Sequence, residues 1–98
     1  MITIPFQPLK DLCHKYNVKR LSLFGSALRD DFTPSSDIDL LVEYHPDATV
    51  TLLDMAAFQR ELSELFNRPI DLGTPRSLNR HLRDRILASA EVIFEQAG

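Results

Sequence analysis

Several features that mark specialised classes of protein are scarce or missing in these 98 residues. Cys13 is the only cysteine, so no internal disulfide can form and a reducing compartment is expected. No apolar run approaches the length needed to span a membrane, and the first residues lack the charged and apolar regions of a signal peptide. Repeats, low-complexity tracts and linkers are also absent. These absences predict a cytoplasmic chain with one domain, residues 1–98, and no membrane partner.

Basic residues are fewer than acidic ones. The chain has 11 Lys and Arg against 14 Asp and Glu, for a formal net charge of −3. Sequence-independent binding of nucleic acid needs a basic face, so direct nucleic-acid binding is not expected. The three histidines are dispersed and lack the spacing of metal ligands. The whole chain is 44% hydrophobic and 26% charged, as in ordinary globular proteins.

The hydrophobic periodicity predicts alternating helices and strands. Apolar residues at helical spacing favour a helix over about 6–16 and another after a capping box at Thr51 and Asp54. The buried stripe of that second helix is predicted to be Met55, Phe58, Leu62 and Leu65. Strands are expected over Val18–Phe24, Asp37–Tyr44 and Pro69–Leu72, with a last helix capped by Ser77 and a final edge strand at Val92–Phe94. The predicted class is α/β (α+β), a small mixed sheet of three to four strands flanked by helices.

The most informative pattern is a Gly-Ser turn followed by two carboxylates at alternate positions. Gly25 and Ser26 end the first predicted strand, and ten residues separate them from Asp37 and Asp39. Residues i and i+2 of a strand point to the same side, so the two carboxylates should project together. Glycine allows close approach of a phosphate, and Ser26 at a helix start offers a hydroxyl and free N–H groups. The arrangement suits a nucleoside triphosphate held on divalent metal.

Two further residues extend this candidate site. Asp71 is a polar residue in an apolar strand, and it completes an acidic cluster if that strand neighbours the second one. Carboxylates are suitable ligands for Mg²⁺, and two such ions about 4 Å apart can bind attacking and leaving oxygens together. Arg29, just after the turn, is placed to meet a phosphate. In isolation, each of these residues has an ordinary structural explanation, such as a turn glycine, a helix cap or a strand-entry aspartate.

The set Gly25-Ser26-x10-Asp37-x-Asp39, followed by Asp71, resembles the signature of the DNA polymerase β-type nucleotidyltransferases, and above all its minimal nucleotidyltransferase (MNT) branch. The resemblance implies a polymerase β-like palm fold, two Mg²⁺ ions, ATP as substrate and transfer of a nucleotide to an acceptor hydroxyl. It assigns Asp37 and Asp39 to the metal pair, Asp71 to the third carboxylate, and Gly25 and Ser26 to the phosphate-binding turn. One departure is Asp30, where relatives often have glycine.

The resemblance also implies a partner. Larger relatives add a helical domain that binds the acceptor, whereas short members are typically encoded beside a helical HEPN-domain protein. Many such pairs behave as toxin and antitoxin, with AMP transferred from ATP to a tyrosine hydroxyl of the HEPN toxin. The leading hypothesis is therefore a Mg²⁺-dependent protein adenylyltransferase acting as the antitoxin of a type VII-like pair, in a hetero-oligomer. The alternatives are a non-catalytic antitoxin that inhibits its partner by binding, or a nucleotidyltransferase with a small-molecule acceptor.

One charged segment has two interpretations. The last predicted helix and the turn before it carry four arginines: Arg76, Arg80, Arg83 and Arg85. They could form a face that binds phosphate or a partner, but a solvated helix face is the more common origin of such a pattern. The sequence alone favours the solvated face.

Overall fold

The computed structural model of the protein describes residues 4–25 and 37–96. The predicted short helix from Ser26 to Arg29 lies outside these residues. The helices and strands that the sequence predicts within the described ranges are present, with bounds that agree to within about two residues. In chain order they are α1 (Phe6–Lys15), β1 (Val18–Phe24), β2 (Ile38–Tyr44), α2 (Leu52–Phe66), β3 (Ile70–Gly73), a 3₁₀ turn (Pro75–Ser77), α3 (Arg80–Ser89) and β4 (Glu91–Glu95).

The four strands form one mixed sheet in the order β3-β2-β1-β4. β1 is antiparallel to both of its neighbours, β2 and β4, whereas β2 and β3 are parallel. The predicted α/β class with a small mixed sheet is confirmed. The pairing of β2 with β3 also meets the condition on which the predicted role of Asp71 depended.

The two faces of the sheet differ in what covers them. One face, here the core face, carries Leu23 and Leu40 and packs against α1 and α2. The other, here the acidic face, carries Ser22, Leu41 and, at one end, Asp39. Ser22 and Leu41 are buried even though they point away from the main core cluster. The sheet therefore has a thick apolar layer on one side and a separate environment on the other.

The path of the chain places α2 and α3 on opposite faces. The crossover from β2 through α2 to β3 and the crossover from β3 through α3 to β4 both join strands that run in the same direction. The first crossover leads toward the β3 edge of the sheet, and the second leads back toward the β4 edge. Because such crossovers are almost always right-handed, α3 lies on the acidic face. In agreement, none of the described residues that pack into the core cluster comes from α3.

The main core lies between the core face and the first two helices. Leu9 and Cys13 of α1 and Phe58 and Leu62 of α2 are buried there. The ring of Phe58 is fully buried and contacts two tyrosine rings, with centroid distances of 5.2 Å to Tyr16 and 6.5 Å to Tyr44. The predicted stripe of α2 is confirmed, since Met55 and Leu65 pack against the same cluster.

The predicted start of α2 is confirmed in detail. The Thr51 hydroxyl accepts a hydrogen bond from the Asp54 backbone N–H at 3.1 Å, and the Asp54 carboxylate accepts one from the Thr51 N–H at 3.0 Å. This reciprocal pair satisfies two of the N–H groups that a helix start leaves open.

The predicted cap of the last helix is wrong. Asn79, not Ser77, caps α3, and its side chain accepts a hydrogen bond from the His81 N–H at 2.8 Å. Ser77 instead ends the 3₁₀ turn, where its hydroxyl accepts from the Thr74 N–H at 3.0 Å. The extended conformation of Leu78 separates the turn from the helix, so Ser77 and Asn79 belong to two different elements.

Of the helices in the described ranges, none is long and apolar enough to cross a membrane.

The burial of Cys13 leads to a prediction about its reactivity. Burial raises the pKa of its thiol to about 12, and the reactive form of cysteine is the thiolate. At mildly alkaline pH the thiol stays protonated and shielded, so a thiol reagent should modify the native protein only as it unfolds. The measurement is the labelling rate with and without denaturant. Rapid stoichiometric labelling of the native protein would contradict this placement.

Candidate active site

The pairing of the three strands β3, β2 and β1 brings the predicted site residues together. In the parallel pair β2–β3, Asp39 lies directly opposite Asp71. In the antiparallel pair β1–β2, Asp39 lies opposite Phe24, the residue before Gly25. Asp37 comes immediately before β2. Four of the six predicted site residues thus lie at one end of the sheet. Ser26 and Arg29 lie outside the described residues, so their predicted contacts with phosphate stay predictions.

The other two carboxylates act electrostatically on Asp71. The pKa of the Asp71 carboxyl is raised above its ordinary value, first by desolvation and then by the charge of Asp39. A hydrogen bond shared with Asp39 and the charge of Asp37 raise this pKa further. Each cause disfavours ionisation of Asp71. This part of the sheet is therefore a site of concentrated negative charge that a cation would stabilise.

Gly25 lies so close to Asp39 that any larger residue at this position would have to displace the Asp39 side chain. Its φ is +64°, in the left-handed region that glycine adopts readily. A Cβ built at Gly25 would lie 2.5 Å from Oδ2 of Asp39 and 3.3 Å from its Cγ. The sequence predicts that a phosphate approaches the backbone here, which a glycine allows. The contact with Asp39 is a second reason why a glycine occupies this position. The signal for this contact is the strand register, which a single sequence does not reveal.

Replacement of Gly25 by alanine should therefore disturb both the turn and the carboxylate. The left-handed conformation alone costs an L-residue about 1–2 kcal/mol, and the new methyl group must displace the Asp39 side chain. We expect a lower free energy of unfolding in urea and weaker nucleotide binding.

Gly73→Ala is the matched control for this substitution. There a Cβ would meet the Ser77 hydroxyl at 3.3 Å and Leu41 at 4.0 Å, so a shift of a few tenths of an ångström would make room for it. Equal stability and equal nucleotide binding for Gly25→Ala and Gly73→Ala would contradict the proposed importance of the Gly25–Asp39 contact.

The chemistry of the acidic cluster fits Mg²⁺. Within residues 4–25 and 37–96, no three His, Cys, Asp or Glu side chains are spaced to hold a metal ion by themselves. Mg²⁺ does not require such an all-protein cage, because it usually combines one or two carboxylates with substrate phosphates and water. Asp39 and Asp71 provide hard oxygen donors on adjacent strands, and their mutual repulsion is what a bound cation would relieve.

In the described part of the chain, no ion pair joins an arginine of the last helix to the carboxylates of the candidate site. Arg80 and Arg85 are exposed, and Arg83 is partly buried. The Nε atom of Arg83 is buried with no hydrogen-bond partner among the described residues. The solvated face that the sequence favours therefore describes Arg80 and Arg85, and Arg83 is a partly buried exception.

Comparison with known proteins agrees with this site. The family described as the nucleotidyltransferase domain matches residues 7–93. The chain is 41% identical over 76 residues to MJ0435 of Methanocaldococcus jannaschii, which carries the name protein adenylyltransferase. That match covers 78% of this chain and 80% of MJ0435.

Solved structures share the fold. A minimal nucleotidyltransferase superposes with a TM-score of 0.71 at 32% identity, over 86% of this chain and 84% of its own. A toxin–antitoxin complex with AMP-PNP gives a TM-score of 0.73 at 18% identity, over 95% of this chain and 75% of that one. A tri-AMPylated HEPN toxin of Shewanella oneidensis in complex with its MNT antitoxin gives 0.63 at 17% identity, over 92% and 69%.

The family model spans most of the chain, and the sequence match to MJ0435 is independent of the structural matches. The two toxin–antitoxin structures, at under a fifth identity, add support for the fold alone. The family that the Gly25, Asp37, Asp39 and Asp71 pattern resembles is thereby confirmed: this chain belongs to the nucleotidyltransferase domain family.

Proposed function

We propose that this protein transfers AMP from ATP to a hydroxyl group of a partner protein and thereby acts as an antitoxin. The observation that carries the proposal is the register pair Asp39–Asp71 beside Gly25. It puts two carboxylates next to Gly25, the residue that the sequence predicts to bind phosphate. A role limited to structure would not favour this costly concentration of negative charge.

In this proposal each residue has a distinct task. Gly25 leaves the backbone accessible to the oxygens of the triphosphate. Asp37 and Asp39 hold the triphosphate through Mg²⁺, which when bound neutralises negative charge on the phosphates. Asp71 accepts the proton of the attacking hydroxyl. That oxygen forms a new bond to the α-phosphorus, the bond from the α-phosphorus to the bridging oxygen breaks, and pyrophosphate leaves.

The partner is proposed from the relatives. MJ0435 is named as a protein adenylyltransferase, and the solved complexes with the same fold pair an MNT antitoxin with an AMPylated HEPN toxin or contain AMP-PNP. We therefore propose a HEPN-domain toxin as the acceptor, with a tyrosine hydroxyl as the modified group, in a hetero-oligomer. ATP as the substrate and Mg²⁺ as the cofactor agree with a reaction in the cytoplasm.

The test uses ATP labelled on its α-phosphate, Mg²⁺ and the HEPN-domain protein of the proposed pair. We expect label on the partner, and mass spectrometry should locate one or more AMP groups on tyrosine. Label on serine or threonine would correct the acceptor while leaving the reaction class in place.

Absence of label would contradict the enzymatic proposal. If the unlabelled partner were nevertheless bound and inhibited, the protein would be a binding antitoxin without catalysis. If a small molecule took the label in place of the partner protein, the protein would be a nucleotidyltransferase of a different substrate class.

A further inference from the structure

Helix α3 contributes no buried residue to the fold. Its leucines Leu82 and Leu87 are 46% and 40% exposed. Val92, in the adjoining strand β4, is 49% exposed. Burial of apolar side chains is what normally holds a helix on a sheet. Exposed apolar side chains that lie together on one surface are a feature of interaction sites.

The exposed groups on one flank of α3 form a shallow depression. It has a volume of about 420 Å³ and is lined by Leu82, Arg85, Ile86 and Ser89. Two of these side chains, Leu82 and Ile86, are apolar, and Arg85 is charged. We call these four residues the α3 surface. Apolar side chains combined with arginine are a common composition of protein interfaces.

The charge of this region is opposite to that of the rest of the chain. Residues 74–90 contain four arginines and one aspartate, which gives 4 − 1 = +3. The whole chain has a formal charge of −3, so the remaining residues sum to −3 − 3 = −6. A local basic region on an acidic protein attracts an acidic partner and orients it toward that region.

The position of α3 links this surface to the candidate site. By the handedness of the crossovers, α3 lies on the acidic face, where Asp39 and Asp71 are found. The 3₁₀ turn that precedes α3 contacts β2, the strand of Asp39. A protein that presents a hydroxyl to these carboxylates has to approach over this face. In the described part of the chain, α3 is the helix that it meets there.

We propose that the α3 surface is the docking site of the acceptor protein, which binds it through an acidic surface with apolar residues at its centre. The proposal rests on the proposed function, because the occupant is the protein that receives AMP. The apolar pair Leu82 and Ile86 favours a protein over RNA, whose phosphates would be recognised by the arginines alone.

The test is the affinity of the acceptor for the double variant Leu82→Ser/Arg85→Glu. Both residues are exposed, so the fold should tolerate the change. The matched control is Leu53→Ser/Arg60→Glu on α2, which makes the same chemical changes at exposed positions on the opposite side of the sheet. Binding of the HEPN-domain protein is measured by calorimetry at low and high salt. The melting-temperature increase produced by Mg²⁺ with ATP reports separately on the nucleotide site.

We expect the α3 variant to lose about tenfold or more in affinity and the control about twofold or less. The increase in melting temperature with Mg²⁺ and ATP should be the same in both. Salt should weaken binding of the wild type more than binding of the α3 variant.

Equal affinities for the two variants would overturn the proposal, as would no binding of the wild type to the HEPN-domain protein. Loss of affinity for a labelled RNA, with binding to the protein intact, would overturn it in favour of a nucleic-acid surface. Failure of the proposed function has a different signature. The wild type would bind the partner without labelling it, and the docking site would then be judged on the affinities alone.

Discussion

Asp39→Asn should lower AMP transfer by roughly a hundredfold to a thousandfold or more without destabilising the protein. Asp39 is the central member of the site, because it lies opposite Asp71 and against Gly25. Its charge is among the causes that raise the pKa of Asp71. Removal of that charge should relieve repulsion, so the melting temperature should stay the same or rise slightly. Loss of activity with retained stability is typical of a functional residue.

The measurements for this variant are the initial rate of label transfer and the melting temperature. The matched control is Asp47→Asn, the same chemical change at an exposed turn residue beyond the other end of β2. Asp47→Asn should transfer AMP at the wild-type rate. If Asp39→Asn kept wild-type transfer, the assignment of the site would be wrong even if the protein proved to be a nucleotidyltransferase.

Phe58→Ala should produce the largest loss of stability. Phe58 is fully buried between the rings of Tyr16 and Tyr44, and it belongs to the helix that covers the core face. Removal of a buried phenylalanine ring typically costs about 3–5 kcal/mol, whereas a small domain has a total stability of about 5–15 kcal/mol. We expect a large decrease in the urea midpoint, or a protein that is partly unfolded at room temperature.

Phe6→Ala is the control for this prediction. Phe6 is 65% exposed at the start of α1, so the same truncation there should change the free energy of unfolding by about 0.5 kcal/mol or less. Both variants are measured by urea unfolding followed by circular dichroism. Similar midpoints for the two would mean that the layer between the sheet and α2 is not the main source of stability.

Most elements of the fold could be predicted because their causes are local. The stripe of α2 and the capping box at Thr51 and Asp54 depend on residues within a few positions of one another. The period of a strand also predicts a shared direction for Asp37 and Asp39, but β2 begins at Ile38, after Asp37, so that direction stays a prediction. The one wrong cap has a local cause too. Ser77 and Asn79 are both good caps, and the sequence does not show that Ser77 belongs to a separate 3₁₀ turn before the helix.

The rest depends on contacts between distant parts of the chain. The parallel pairing of β2 with β3, which brings Asp71 to Asp39, joins residues more than thirty positions apart in sequence. Strand order is decided by the packing of the whole sheet. From the sequence, the role of Asp71 could therefore be predicted only on the condition that its strand neighbours β2. The Gly25–Asp39 contact needs the register of β1 with β2. The exposure of Leu82 could not be predicted either, because periodicity predicts a helix but not which other element covers it.

The most direct test of the account is a crystal structure with Mn²⁺ in place of Mg²⁺ and a non-hydrolysable ATP analogue. The anomalous scattering of manganese locates the metal independently of any assumption about the site. We predict manganese among the carboxylates of Asp37, Asp39 and Asp71, with the triphosphate against the backbone of Gly25. Nucleotide and metal bound elsewhere on the protein, with these carboxylates uninvolved, would contradict the account.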